Sequence, residues 1–263
     1  MQRRTKIVAT LGPATDEPKV LDRMIEAGVD LVRVNFSHGT ADEHLERVER
    51  VRNRARAHGR QVGVLADLQG PKIRIERFRD GPVELAEGQT FTIDATLDPD
   101  AGDGERVGTA YKELPDDVGR GDNLLLDDGR IVLWVDQVQG SEVICRVVVG
   151  GKLSDRKGIN RQGGGLSAPA LTDKDREDIG TAAKMKADYM AVSFPRTADD
   201  INEARSLLRT AGGHGEIVAK IERTEALEVI DEIIAASGAI MIARGDLGVE
   251  IGDAALPPVQ KRL

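Results

Sequence analysis

The stretch ARGDLGVEIG, Ala243 to Gly252, decides how this chain is read, because it follows directly on the apolar run Ala239 to Ala243. A short apolar run of that kind reads as a buried strand, and parallel strands of α/β proteins carry their chemistry at the carboxyl end. Here that end holds a cation, Arg244, a glycine turn and a carboxylate, Asp246, with Gly248 two residues on. About twenty residues upstream the run Ile217 to Lys220 closes in the same way, with Lys220 and Glu222 at its end. Two successive βα units thus offer Lys, Glu and Asp to one face. Two carboxylates and an ammonium together point to a divalent metal holding an anionic, phosphorylated substrate.

Outward from this stretch, short apolar runs alternate with amphipathic, charge-rich segments in the first and last thirds of the chain, which is a βα repeat. The strand Lys6 to Leu11 leads through a Gly-Pro turn to a helix opening near Pro18 and closed by Gly28; the strand Leu31 to Asn35 follows. Leu45, Val48, Val51 and Ala55 recur at helical spacing over Ala41 to His58. The arginines of this segment interleave with Glu43, Glu46 and Glu49, so they read as a solvated face rather than a nucleic-acid patch. A third strand, Val62 to Asp67, runs into Leu68-Gln69-Gly70-Pro71.

From Lys72 to about Ala168 the pattern changes to short β-like runs broken at Asp80-Gly81-Pro82, Asp103-Gly104 and Asp128-Gly129, the composition of a small all-β domain. The repeat then resumes with helix Asp173 to Lys186, strand Tyr189 to Val192, helix Thr197 to Thr210, strand Glu216 to Lys220, helix Thr224 to Ala236 and strand Ala239 to Ala243. The expected fold is α/β, an incomplete (β/α)8 barrel over 1–71 and 169–263 with an all-β domain inserted at 72–168. Six strands and roughly 170 residues outside the insert fall short of the eight strands and about 250 residues of a typical closed barrel. The chain therefore reads as a truncated form whose first and sixth strands are open edges.

The chain has 263 residues, 40% of them hydrophobic, and a formal net charge of −8 with one Trp and four Phe, which argues against general nucleic-acid binding. No apolar run reaches the length of a membrane span, and the basic Met1 to Lys6 leads into a strand rather than a signal peptide's apolar region, so a cytoplasmic location is expected. The single cysteine, Cys145, lies in the apolar run Val143 to Val149 and reads as a core thiol. His44, His58 and His214 show no metal-ligand spacing and read as solvated; Gly163-Gly164-Gly165 reads as a hinge.

Seven segments in order carry a family resemblance: TKIVATLGPAT (Thr5 to Thr15), VRVNFSHG (Val32 to Gly39), DLQGPKIR (Asp67 to Arg74), DRKGIN (Asp155 to Asn160), SFPR (Ser193 to Arg196), KIE (Lys220 to Glu222) and ARGDLGVEIG. The chain resembles the N-terminal half of the pyruvate kinases, of the bacterial type II kind. The resemblance implies a barrel with a β-barrel lid after its third strand, and transfer of a phosphoryl group from phosphoenolpyruvate to ADP, giving pyruvate and ATP. Position by position it implies Glu222 and Asp246 as ligands of Mg2+ or Mn2+, and Lys220 as the group that stabilises the moving phosphoryl. Arg33 would clamp the substrate phosphate, and Gly245 with the amide of Asp246 would hold the substrate carboxylate. Arg74, Lys157 and His38 would contact the nucleotide. Asn35, Ser37, Asp67 and the carbonyl of Leu68 match the family's site for K+; Lys72 stands where potassium-dependent relatives have Glu, so an ammonium there would replace the ion. The full-length family implies a homotetramer.

Two other functions fit parts of the pattern. A metal-dependent pyruvate or phosphoenolpyruvate lyase-type barrel shares the Glu and Asp metal site, and ADP-dependent pyruvate formation separates it from a kinase. A non-catalytic, ligand-binding fragment would bind without turnover.

Overall fold

The computed structural model describes residues 4–263; the first three residues of the basic Met1 to Lys6 stretch lie outside the described residues. The chain forms two compact units. The first comprises the described residues up to Gly70 with Ala170–Ile221 and Val229–Met241, and the second Pro71–Pro169, Glu222–Glu228 and Ile242–Leu263.

In the first unit β1 (Val8–Thr10), α1 (Pro18–Glu26), β2 (Leu31–Asn35), α2 (Ala41–Ala57) and β3 (Gly63–Asp67) follow one another. After the second unit's β segment come α4 (Asp173–Lys184), β12 (Tyr189–Val192), α5 (Ala198–Thr210), β13 (Glu216–Ile221), α7 (Ile230–Ala236) and β14 (Ala239–Ile242). The strands form one sheet in the order β1-β2-β3-β12-β13-β14, and its β1–β2, β2–β3, β3–β12 and β12–β13 pairs are parallel. Each strand thus lies beside its predecessor in the βα series, as right-handed crossovers through a helix require.

Alternate residues of these strands divide between two faces. Val32, Val34, Val64, Ala66, Met190, Val192, Ile217 and Ala219 are buried on one face, each 1% exposed or less. Burying each larger side chain stabilises the unit by roughly 1.5–3 kcal/mol. On the other face Leu65, Ala191 and Val218 form a small apolar cluster with Leu31 and Met241. One step further along the same face the side chains become Arg33, Asp67, Ser193 and Lys220.

The helices begin where the sequence places an N-cap. Thr40 and Glu43 form a capping box at α2, and Thr172 and Asp175 form one at α4. At α5, Asp200 accepts the Thr197 amide at 3.0 Å. The arginines of α2, expected as a solvated face, are instead partnered. Arg47 binds Asp16 through two hydrogen bonds of 2.9 and 3.0 Å, Arg54 binds Asp22 through two of 2.6 and 2.5 Å, and Arg52 donates to the carbonyls of Met185 and Lys186 at 2.5 and 2.7 Å. The fork of a guanidinium matches carboxylate oxygens two at a time, which a period count on α2 alone does not show. His44 also departs from expectation: it is 3% exposed and its ring packs 4.8 Å from that of Phe36. Burial lowers its pKa, first among causes that include Arg47. His58, half-buried, lies 3.0 Å from Asp22, and His214 is exposed.

The second unit contains β4 (Val83–Leu85), β5 (Thr90–Asp94), β6 (Arg106–Gly108), α3 (Leu114–Asp117), β7 (Asn123–Leu126), β8 (Ile131–Gln139), β9 (Glu142–Val149), β10 (Gly151–Leu153) and β11 (Ile159–Arg161). Its main sheet runs β11-β7-β8-β9-β5-β6, and β10 pairs with β4. Phe91, Ile93, Leu124, Leu126, Leu133 and Val143 fill its core. Cys145 is buried there, its thiol pushed up to about 12 by desolvation. α6 (Thr224–Glu228), α8 (Arg244–Ile251) and α9 (Leu256–Arg262) belong to this unit as well. The single helix expected over Thr224 to Ala236 is therefore two. Val229, at φ −118° and ψ 28°, separates α6 from α7, and the two pieces pack in different units.

Among the described residues no helix is long and apolar enough to cross a membrane.

Candidate active site

The first unit gathers its charges at the carboxyl ends of its strands. Asp67, the last residue of β3, is 1% exposed and sits between two cations. Arg33 of β2 donates from Nε at 2.6 Å and places Nη2 2.5 Å from the same oxygen, Oδ2. Lys220 of β13 lies on the other side, its Nζ 3.2 Å from Oδ1. That distance makes an ion pair without hydrogen-bond geometry at Oδ1. The register explains the reach. Asp67 is level with Asn35 on β2 and Ala191 on β12, and the residue after Val192 continues toward Lys220. That residue, Ser193, accepts a hydrogen bond from Lys220 Nζ at 2.7 Å and donates its own to the Leu68 carbonyl at 2.7 Å. Thr10, level with Arg33 on β1, accepts from Arg33 Nη1 at 3.0 Å.

Two backbone features hold this layer. A Cβ on Gly70, whose φ is +67°, would stand 2.6 Å from the Ser193 Cβ, so only glycine lets the chain after β3 pass there. Phe194 has φ +55°, a conformation that costs a bulky residue roughly 1–3 kcal/mol and that turns the chain sharply after Ser193. Asp175 of the α4 capping box accepts the Gly70 amide at 3.0 Å.

The remaining first-unit residues of interest lie on the loop after β2. The Ser37 amide donates to Asn35 Oδ1 at 3.1 Å, His38 is exposed, and Lys174 donates to the Phe36 carbonyl at 2.9 Å. The oxygens expected to hold K+ thus have protein partners: Asn35 the Ser37 amide, Leu68 the Ser193 hydroxyl, and Asp67 two cations. Each of these oxygens keeps a further lone pair, while like charge from Arg33 and Lys220 opposes a third cation at Asp67.

The second unit holds the carboxylates expected to bind a divalent ion. Glu222 is 1% exposed. Asp246, at the start of α8, lies 3.1 Å from Lys72 Nζ. Lys72, expected to supply its charge in place of K+, thus has Asp246 as its ion-pair partner. Among the described residues no side chain caps α8, whose first turn holds Gly245 and Asp246. Among the described residues no group of three or more His, Cys, Asp or Glu is placed to hold a metal. Arg74 donates to the Arg156 carbonyl at 2.8 Å, and Lys157 pairs with Asp127 at 2.7 Å on a turn whose Asp127, Asp128 and Gly129 all have positive φ.

Residue-by-residue reading missed Ser193, Thr10 and Asp127. The signal for the first two was the two-residue alternation: each stands two places beyond an apolar residue of the same face, Ala191 and Val8.

A parallel sheet that collects an arginine, a lysine and a carboxylate at its strand ends is the arrangement in which α/β proteins keep their chemistry. A family model described as pyruvate kinase, barrel domain, matches residues 2–263, and the chain belongs to the pyruvate kinase family. It is 55% identical over 264 aligned residues to the pyruvate kinase of Haemophilus influenzae and 56% identical to pyruvate kinase II of Salmonella typhimurium, in each case over 99% of this chain and 55% of the relative. A pyruvate kinase of Mycobacterium tuberculosis is 47% identical over 262 residues, covering 100% of this chain and 55% of the relative. The chain spans about half the length of the curated relatives it matches.

Proposed function

We propose that this chain supplies the phosphoryl-transfer site of a pyruvate kinase, with phosphoenolpyruvate and ADP as substrates. The observation that carries the reading is the Arg33–Asp67–Lys220 cluster at the strand ends of a chain of this family. The six strands of this sheet are read as part of a (β/α)8 barrel, 1–71 and 169–263, and 72–168 as its inserted lid domain.

In this reaction the bond between phosphorus and the enol oxygen breaks, a β-phosphate oxygen of ADP bonds to phosphorus, and the enolate left behind takes a proton to become pyruvate. The protein's task is to place the groups and balance their charge. Arg33 presents a planar fork to the substrate phosphate, for which Asp67 fixes its orientation. Lys220 offers an ammonium to the phosphoryl in transit. The Gly245 and Asp246 amides at the start of α8 receive the substrate carboxylate, and Arg74, Lys157 and His38 reach the nucleotide. Two hard carboxylates fit a magnesium ion, which commonly takes one or two protein carboxylates and completes its shell from substrate and water. Glu222 and Asp246 would hold it, and when bound it supplies charge to the enolate and phosphate oxygens.

The test is a lactate dehydrogenase-coupled assay on purified protein of confirmed mass, for this chain and for this chain joined to the remaining part of the Salmonella relative. ADP-dependent pyruvate formation by the joined protein, lost in Lys220→Met, is the expected result. A folded joined protein that makes no pyruvate overturns the reading, and pyruvate formed without ADP selects the lyase-type alternative.

A further inference from the structure

We propose that His44 is a positioning residue for the loop after β2: its neutral ring holds Phe36 and Gly39 in place, and protonation of that ring releases them. The inference rests on the kinase reading only for its consequence, that an open loop withdraws His38 from the nucleotide. His44 is 3% exposed, and its ring lies 4.8 Å from that of Phe36, tilted by 53°. At the other end of the loop Gly39, at φ +84°, passes so close that a Cβ there would stand 3.1 Å from the ring's Cε1 and 2.9 Å from the Glu43 carboxylate. Both ends of the loop thus rest on one imidazole.

What distinguishes an imidazole from an apolar ring at this place is its proton. Among the described residues neither Nδ1 nor Nε2 has a hydrogen-bond partner, so the ring packs as a hydrophobe would, at the cost of an unsatisfied N–H. A second proton would add a full charge with no acceptor for it in the closed loop. Burial, the largest cause, lowers the His44 pKa from the ordinary 6.5, helped by Arg47 on α2 and Lys174 on α4 and opposed by Asp178 on α4 and Glu43 on α2. Lys174 also donates to the Phe36 carbonyl at 2.9 Å and binds Asp178, which keeps its ammonium at this loop. Once the loop opens, the ring is solvated and titrates at its ordinary value, so the open form takes up a proton that the closed form excludes. The closed loop is therefore intact above 6.5, and below it opening rises by up to about tenfold per pH unit until the closed-state pKa is reached.

The experiment is amide hydrogen exchange of the 263-residue chain, read by peptide mass spectrometry over Asn35 to Thr40 and corrected for the intrinsic rate at each pH. From about pH 7.5 to about pH 5.5, protection of this peptide should fall about three- to tenfold in the parent, while a peptide over β12 stays constant and marks the opening as local. His44→Leu and His44→Gln, whose side chains are of similar size and do not titrate, should both lose the response. If the leucine chain fails to fold, the glutamine chain carries the test. Asp178, whose carboxyl burial pushes up, and the exposed His38 are the other titrating groups nearest the loop, so Asp178→Asn and His38→Gln should keep the parent response. The readout needs no turnover, so it stands apart from failure of the kinase reading. A flat profile in the folded parent, a parallel fall over β12, a parent-like profile in a folded His44 variant, or loss of the profile in Asp178→Asn or His38→Gln overturns the proposal.

Discussion

Asp67 joins cations from strands that are not neighbours, β2 and β13. Replacing it, Asp67→Asn, leaves two poorly solvated cations facing each other, and breaking a buried pair in this way costs about 3 kcal/mol. Urea unfolding followed by circular dichroism should show that loss, with Arg33→Lys, which keeps the charge but not the fork, costing less. Because Asp67 already carries two cations, any turnover should be equal in sodium and in potassium; strong activation by potassium would contradict the charge argument. Lys72 bears on the other ion. Its ammonium neutralises Asp246 at 3.1 Å, so Lys72→Met should tighten Mn2+ binding severalfold, measured by titration calorimetry without substrate. Unchanged or weaker binding would mean that Asp246 is not a ligand.

At the scale of elements, α2 shows how an exposed-looking helix is fixed in place. Its capping box sets where it starts, and Arg47 and Arg54 clasp Asp16 and Asp22. The Arg47 hydrogen bonds hold the Asp16 pKa below its ordinary 3.8, outweighing the opposing effect of burial. A depressed folded pKa contributes stability that is present above 3.8 and lost as pH falls through the folded value. Thermal unfolding should therefore find Asp16→Asn less stable than the parent at pH 7, with the gap closing below pH 3.8 as Asp16 of the parent loses its charge. A gap that stays constant as pH falls through the acid range would assign the effect to packing instead.

At the scale of the molecule, the sheet of the first unit has two edges, β1 and β14. Ile7 and Val8 are 43% and 49% exposed beside one of them. Between the edges lies an open hollow of 1230 Å³ lined in part by Val8, Leu31, Leu65, Val218 and Met241. Unpaired edges with apolar neighbours favour pairing with a second copy. Light scattering should show association that grows with concentration, and Val8→Lys, a charge placed on the edge, should reduce it. A monodisperse monomer at high concentration would show that the edge is protected.

The sequence alone determined the βα order, the β-rich segment after Asp67 and the residues at the strand ends, because period, turn residues and caps are local properties written in neighbouring positions. Lys220, Glu222 and Asp246 were legible by their place after apolar runs. Tertiary structure decided what local pattern does not contain: that Asp67 is shared by Arg33 and Lys220, that Ser193 bridges Lys220 and the Leu68 carbonyl, that Lys72 rests on Asp246, and that His44 is buried against Phe36. Each of these depends on which strands become neighbours and in what register. Charge pairing and burial are set by distances across the sheet, whereas hydrophobic period is set along the chain.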